Sequence, residues 1–382
     1  MEKNLLAEEL IRLDIVGPLV LFGTILCIYI AISLTLNLEF GLTGIPNFGK
    51  VLFVSAGGML GASVMYRVAL FVFKLKSNDI FEASDTFTNI INRHLATNPL
   101  LALELAIVMI TVGGLTAGVL GYLASYPAIK LREDYLGMLL LGSGELFSTV
   151  TAYYIPIVGG PENLTVPDLL VGFGRLERYV VLVAFAAFAI AVFIYVERVV
   201  KSPLGRTLKA VRDNEVAAEA LGKDNVSIRR KILITASVLS GVAGALWVIY
   251  WAEIGGLIGG DVASTFPRLL YTFYPFTIVI LGGAASDYGV VIGSVALTTV
   301  YVVTTESLPS LVANVRISWV DPNLLNNFIN SLQYIIIGLL LIVMLLVRPE
   351  GLIRERPAFT MPKAKLKQIA DSVVSPNSTK EK

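Results

Sequence analysis

Nine stretches of this chain are apolar enough to leave water: residues 15–36, 51–73, 100–126, 135–158, 179–197, 232–254, 268–283, 289–305 and 331–347. Most approach the roughly 20 residues that a helix needs to cross about 30 Å of hydrocarbon. A spanning backbone must satisfy its own hydrogen bonds, which leaves helices as the economical solution for such runs. Of 382 residues, 55% are hydrophobic and 15% charged, against roughly 25% charged in a soluble domain. One or two soluble cores could not hide that apolar surface. A soluble enzyme, a disordered chain and a disulfide scaffold are excluded. The expected fold is an all-α polytopic integral membrane protein of about 8–10 transmembrane helices, located in the cell membrane. The short runs 268–283 and 289–305, parted by GGAASDYG, read either as two tight spans or as one span with a broken neighbour. The expected organisation is an N-terminal segment 1–14, a membrane domain 15–347 and a basic tail 348–382. The opening MEKNLLAEELIRLD has no apolar core or cleavage site, so the first span is expected to direct insertion.

Lysine and arginine set the orientation. Segment 198–231 holds nine and the tail holds eight of the chain's 30. Loops 74–99, 159–178, 252–267 and 305–330 together hold six. The first two are therefore expected in the cytoplasm and the four loops outside. Counting back places 127–134 inside, whereas GLTGIPNFG (41–49) reads as a broken or re-entrant piece that leaves the side of the N-terminus open. The tail is expected to be polar and mobile, or drawn to anionic lipid.

Little in the sequence suggests bond-making chemistry. There is no phosphate-binding GxxxxGK[ST] loop, zincin motif or GxSxG elbow, so the chain reads as neither an ATPase nor another enzyme. Cys27 is alone, and His94 lacks metal-ligand spacing around it, so no metal or cofactor is expected. A net charge of +1 gives no case for nucleic acid.

Small residues recur at four-residue spacing: Gly57/Gly61, Gly114/Gly118, Ser237/Gly241, Ser240/Gly244 and Gly289/Gly293. Such pairs let helices approach closely in lipid, inside this subunit or against a sister subunit. Two glycine-rich breaks, 41–49 and 282–289, lie in opposite halves, as in transporters built of inverted repeats. Among charges inside or near spans, Arg67, Glu104 and Glu253 are expected to reach the interface. Glu145 lies deep in its run beside Gly142 and Gly144, and reads either as an interhelical hydrogen bond or as a pathway residue.

The long basic segment Val196–Ile232 has internal punctuation. Ser202–Pro203 starts a helix; Leu204, Leu208 and Val211 share a face; Asn214 caps a second short helix, EVAAEAL, which Gly222 ends. Asp224–Asn225 caps the approach to the next span. This predicts a small alanine-rich helix held on the cytoplasmic face to dock against another protein. The plain alternative is a solvated loop that anchors topology by its charge.

The stretch SPLGRTLKAVRDNEVAAEALG resembles the cytoplasmic loop of branched-chain amino-acid ABC-transporter permeases of the LivM type. Four more stretches resemble that family in the same order: LNLEFGLTGIPNFGKVLFVSAGGMLGA, PAIKLREDYLGMLLLGSGELF, GGAASDYGVVIGS and LVRPEGLI. The resemblance implies an importer permease whose coupling helix docks into an ATPase, through Arg206, Arg212, Glu215, Ala218, Glu219 and Gly222. It implies a pathway or packing role for Gly41, Gly44, Gly49, Gly142, Gly144, Glu145, Gly282 and Gly283. It also implies partners: a second permease subunit (a heterodimer), two ATP-binding subunits, an external substrate-binding protein and membrane lipid. Branched-chain or other hydrophobic amino acids are the expected substrates. A permease of the same broad family for urea or amides is the nearest alternative, and an ion-coupled secondary transporter using Glu104 or Glu145 is another. A broken helix end aimed at the substrate carboxylate is the expected means of recognising a zwitterion.

Overall fold

The structure, a computed structural model, describes residues 16–77, 79–131, 133–253, 257–258, 265–307 and 322–355. The segment 1–14, Arg132, residues 356–382 of the tail and most of the loop 305–330 lie outside the described residues. The nine apolar runs each fall on helix. In chain order these are α1 (Val16–Leu36), prolonged by a π turn Asn37–Gly41, and α2 (Lys50–Val72). An amphipathic α3 (Ser84–Leu95) precedes α4 (Pro99–Lys130) and α5 (Glu133–Tyr153). Then come α6 (Glu177–Lys201), the short α7 (Pro203–Asp213) and α8 (Glu215–Ala220), and α9 (Asn225–Glu253). A π turn, Leu269–Phe273, leads into α10 (Tyr274–Gly282), followed by α11 (Asp287–Val302) and α12 (Pro322–Val347).

Among the described residues, six helices are long and apolar enough to cross a membrane, and Leu269–Gly282 and Tyr334–Val347 are shorter apolar ones. The runs 268–283 and 289–305 are thus two helices. Gly282 and Gly289 lie so close that a Cβ on either would overlap the other's carbonyl. The turn between them needs Gly283 at φ 110°, a backbone that a side chain would strain.

The centre is a glycine seam joining α2, α4 and α9. A Cβ on Gly57 would overlap Gly241, one on Gly113 would overlap the Gly57 carbonyl, and one on Gly244 would overlap the Val54 carbonyl. Lipid tails give little hydrophobic drive for helices to associate, so close backbone contact supplies the attraction here. The four-residue spacing read from the sequence is the face that makes this contact. It serves the inside of the subunit for Gly57, Gly61, Gly241 and Gly244. Gly114 and Gly118 approach Val242 and Val238 of α9.

The two ends of the bundle are distinct. At one end Arg212 and Lys209 of α7 reach Glu355, and Leu352 and Ile353 donate backbone N–H bonds to the carbonyls of Leu281 and Gly282. At the other, Tyr66 Oη bonds the Ile80 carbonyl, Thr88 bonds the Thr165 carbonyl, and Leu164 pairs with Ile258 across a two-residue antiparallel ladder. The basic segment and the closing stretch share one end, and loops 74–99 and 159–178 share the other, as the charge distribution requires. The loop 74–99 is more than loop. Ser84, Thr88, Ile91 and Leu95 bury one face of α3, whose helical period is masked in sequence by low overall hydropathy. Arg67 lies at this second end, bonding the Pro156 carbonyl and facing the Phe81 ring.

Candidate functional site

The end of the bundle that holds the basic segment carries the predicted coupling segment. Ser202 Oγ accepts from the Gly205 N–H, and Asn214 Oδ1 accepts from the Ala217 N–H at 2.9 Å. Asp224 Oδ1 accepts from the Ser227 N–H at 2.9 Å. Gly222 ends α8 at φ 76°, the left-handed stop that glycine takes without strain. Leu208 and Val211 are buried, but Leu204 turns outward; Gly205, not Leu204, completes the inward stripe because it packs against the Val199 and Val200 carbonyls. The named residues divide into two sets. Arg206, Glu219 and Gly222 face outward beside Val216 and Leu221, which are 77% and 81% exposed. Ala218 is buried, and Arg212 turns inward to donate to the Gly41 carbonyl at 2.6 Å and to Glu355 at 2.9 Å. Glu215 is held at 3.0 Å by Arg229 of α9. The sequence reading placed Arg212 beside the docking helix. The structure places it on α7, which it ties to the Gly41 carbonyl and to Glu355, while α8 itself is held through Glu215 and Arg229.

The Arg212 tie ends on the first glycine-rich break. Asn37, in the π turn after α1, donates to Asp287 at 3.1 Å and accepts from the Ala285 N–H at 2.8 Å. A Cβ on Gly41 would overlap Asn37 and crowd the Ala285 backbone. The breaks from the two halves therefore meet, and this bridge was not anticipated from sequence. The chain then runs without helix through Gly44, at φ 73°, to Gly49, which packs on the Leu140 carbonyl. A fully buried ion pair closes the segment. Lys50 Nζ lies 2.8 Å from Glu39 Oε2, and Asn47 donates to the other carboxylate oxygen at 3.1 Å. Sequence reading missed Glu39 and Lys50; the signal lay in two charges eleven residues apart flanking an apolar glycine-rich break.

Above this break, α2 begins beside a cavity of about 430 Å³ lined by Val51, Ser55, Gly144, Glu145, Ser148 and residues 266–269 with Phe273. The Val51 N–H donates to Thr272 Oγ1 at 3.0 Å, tying α2 to the π turn. Glu145 and Arg268 form an ion pair at 3.0 Å with side chains 57% and 43% exposed. Gly144 packs on Val51, whereas Gly142 faces open space and packs on nothing. Gly282 and Gly283 hold the distant turn and do not line the cavity. Glu104 is exposed on α4.

Broken helices around a polar break, a cavity between them and a short exposed helix at the basic end together define a multi-pass membrane permease. Residues 19–345 match the family described as the permease component of the branched-chain amino acid transport system, and the chain belongs to that family. It is 32% identical over 364 residues to a probable branched-chain amino acid transport permease protein LivM of Methanocaldococcus jannaschii, covering 94% of this chain and 99% of the relative. It is 25% identical to the high-affinity branched-chain amino acid transport system permease protein LivM of Salmonella typhimurium, over 90% of this chain and 71% of that one. The corresponding Escherichia coli protein is 24% identical over 91% of this chain and 72% of its own. Membership in this family implies ATPase and binding-protein partners in general.

Proposed function

We propose that this chain is the membrane subunit of an ABC importer that brings branched-chain or other hydrophobic amino acids into the cell. The observation that carries the reading is the pairing of full-length similarity to a LivM permease with an exposed α8 next to α7, whose Arg212 grips the membrane domain. Two ATP-binding subunits supply the energy, a second permease subunit completes the channel as a heterodimer, and an external binding protein delivers substrate. Val216 and Leu221, with Arg206 and Glu219 around them, form the surface that enters the ATPase. Closing of the nucleotide-binding pair moves α7 and α8, and Arg212 carries the movement to the Gly41 break.

Purification of the tagged chain from its native membrane tests the assembly, and recovery of a second permease with ATPases is the expected result. In proteoliposomes, Gly222→Val is expected to impair ATPase association or coupling while membrane insertion stays normal. No atom lies within 4 Å of a Cβ at that position, so the effect comes from the backbone stop and not from collision. Normal coupled transport in that variant refutes the docking role. Uptake that survives ATP depletion but collapses with the ion gradient refutes the importer reading in favour of a secondary transporter.

A further inference from the structure

The Glu145–Arg268 pair poses a problem that its surroundings answer. Glu145 lies about 18 Å along α5 from Glu133, and Arg268 lies about 21 Å from Gly282 at the turn before α11, at 1.5 Å of rise per residue. Both positions thus lie about three to four helical turns from the end of the bundle that carries the basic segment. Their side chains are nevertheless 57% and 43% exposed. Ionised groups at this depth face water or protein and not lipid. This side of α5 therefore faces water or a neighbouring subunit, and not lipid, in the assembled transporter.

The pair differs in kind from the Lys50–Glu39 pair, whose side chains are both 0% exposed. A closed, dry pair holds structure. An open pair contributes little to stability and is easily parted by a ligand bearing both charges. Each charge then exchanges its partner for one on the ligand, so neither is left unpaired. The short helix Leu269–Gly282 starts at the same point, and its positive end favours an anionic group there. Val51, Phe266, Pro267 and Phe273 supply an apolar wall. The cavity, about 430 Å³, falls in the ordinary size range of small-molecule sites, roughly 300–1,000 Å³.

The geometry points to this cavity as the substrate site of the permease: an aliphatic amino acid binds with its ammonium on Glu145, its carboxylate on Arg268 and its side chain against the wall formed by Val51, Phe266 and Phe273. Ser55 and Ser148 stand at the same cavity as hydroxyl partners for the polar end. The inference rests on the amino-acid import proposed above.

The test uses the whole transporter, with its ATPases and binding protein, in proteoliposomes. Glu145→Gln and Arg268→Gln are each expected to lower L-leucine carried per ATP hydrolysed by about tenfold or more, the effect of losing one charge-assisted hydrogen bond. The unfolding temperature is expected to hold, because an open ion pair contributes little to stability. The charge-swapped double variant, Glu145→Arg with Arg268→Glu, restores a pair but reverses it against the apolar wall, so leucine transport stays low. Recovery of transport in the swap makes the pair structural only and overturns the proposal. Separately, Ser148→Cys in a Cys27→Ser background is expected to react with a water-soluble thiol reagent. Millimolar L-leucine is expected to slow that reaction severalfold, and 4-methylpentanoate, which lacks the ammonium, to leave it unchanged. Labelling that is absent, or indifferent to leucine, overturns the proposal. A wild-type assembly that carries no leucine refutes the import reading instead, and the labelling still decides the site.

Discussion

Replacing Lys50 by methionine removes one member of a fully buried ion pair and keeps most of its volume. The magnitude follows from two opposing terms. At 2.8 Å the Coulomb attraction is about 6 kcal/mol for an effective dielectric of about 20. Withdrawing each ion from water costs several kcal/mol. Attraction and desolvation nearly cancel while both partners are present, so the pair adds little net stability. Removing one leaves the Glu39 desolvation cost standing with only the Asn47 amide to offset it. Lys50→Met is therefore expected to destabilise by about 3–5 kcal/mol, and Glu39→Gln by a similar amount with the ammonium stranded. The double variant Glu39→Gln/Lys50→Met removes both charges and is expected to recover to within about 1–2 kcal/mol of wild type. The assay is unfolding by SDS titration in mixed micelles, followed by tryptophan fluorescence, in a double-mutant cycle. A double variant as unstable as the sum of the singles refutes the reasoning, because the two charges would then not be coupled. A Lys50→Met variant within about 1 kcal/mol of wild type refutes it too, since a stranded buried charge cannot be that cheap.

Other outcomes follow from packing and charge. Gly244→Val forces α9 off the Val54 carbonyl and is expected to cost about 3 kcal/mol or more, whereas Gly142→Ala, with nothing near its Cβ, is expected to be silent in the same titration. Arg212→Lys keeps the charge but loses the fork that joins the Gly41 carbonyl to Glu355; ATP hydrolysis in proteoliposomes should persist while amino acid carried per ATP falls. Burial pushes the Asp168 carboxyl above its ordinary range, partly offset by backbone N–H bonds from Leu170 and Val171. A raised folded pKa gives stability that is present below the ordinary carboxylate range and lost as pH rises through the raised value. Thermal unfolding is therefore expected to show stability falling over that window, and Asp168→Asn, which keeps an acceptor for the Leu170 N–H, to flatten the dependence and raise stability at neutral pH.

The class of fold was legible because hydrocarbon imposes a length and polarity rule that six of the nine apolar runs obey. The helix boundaries of the coupling segment were legible for a local reason: Ser202, Asn214 and Gly222 act within a few residues of themselves. The orientation of Arg212 was not, because its partners lie 171 residues back at Gly41 and 143 residues ahead at Glu355. The same holds for Asn37, whose partners Ala285 and Asp287 belong to the other half. The sequence showed both glycine-rich breaks but carried no sign that they touch. Glu145 was singled out by its depth, yet its partner Arg268 sits at the start of a run too short to look like a full span. The face of α3 was hidden for the opposite reason, since a polar helix outside the spans resembles a loop when hydropathy is the guide.

One continuous run of contacts joins α7 to the cavity. Arg212 holds the Gly41 carbonyl, Gly41 ends the π turn that carries Glu39, Glu39 holds Lys50, and Lys50 begins the helix whose next residue, Val51, lines the cavity and binds Thr272. The buried ion pair resists parting because either charge alone is costly in a dry site, so movement of the π turn must carry the start of α2 with it. The non-helical segment between Gly44 and Gly49 is tied back to the π turn by the Gly44 and Ile45 N–H bonds to the Phe40 and Glu39 carbonyls. Spatial continuity is a physical route for coupling and not a measure of it. The two charges make a stiff joint between the π turn and the start of α2, on either side of the glycine-rich break. A well-packed apolar pair could match the stability of those charges, but not the directional grip of a carboxylate held by both Lys50 and Asn47.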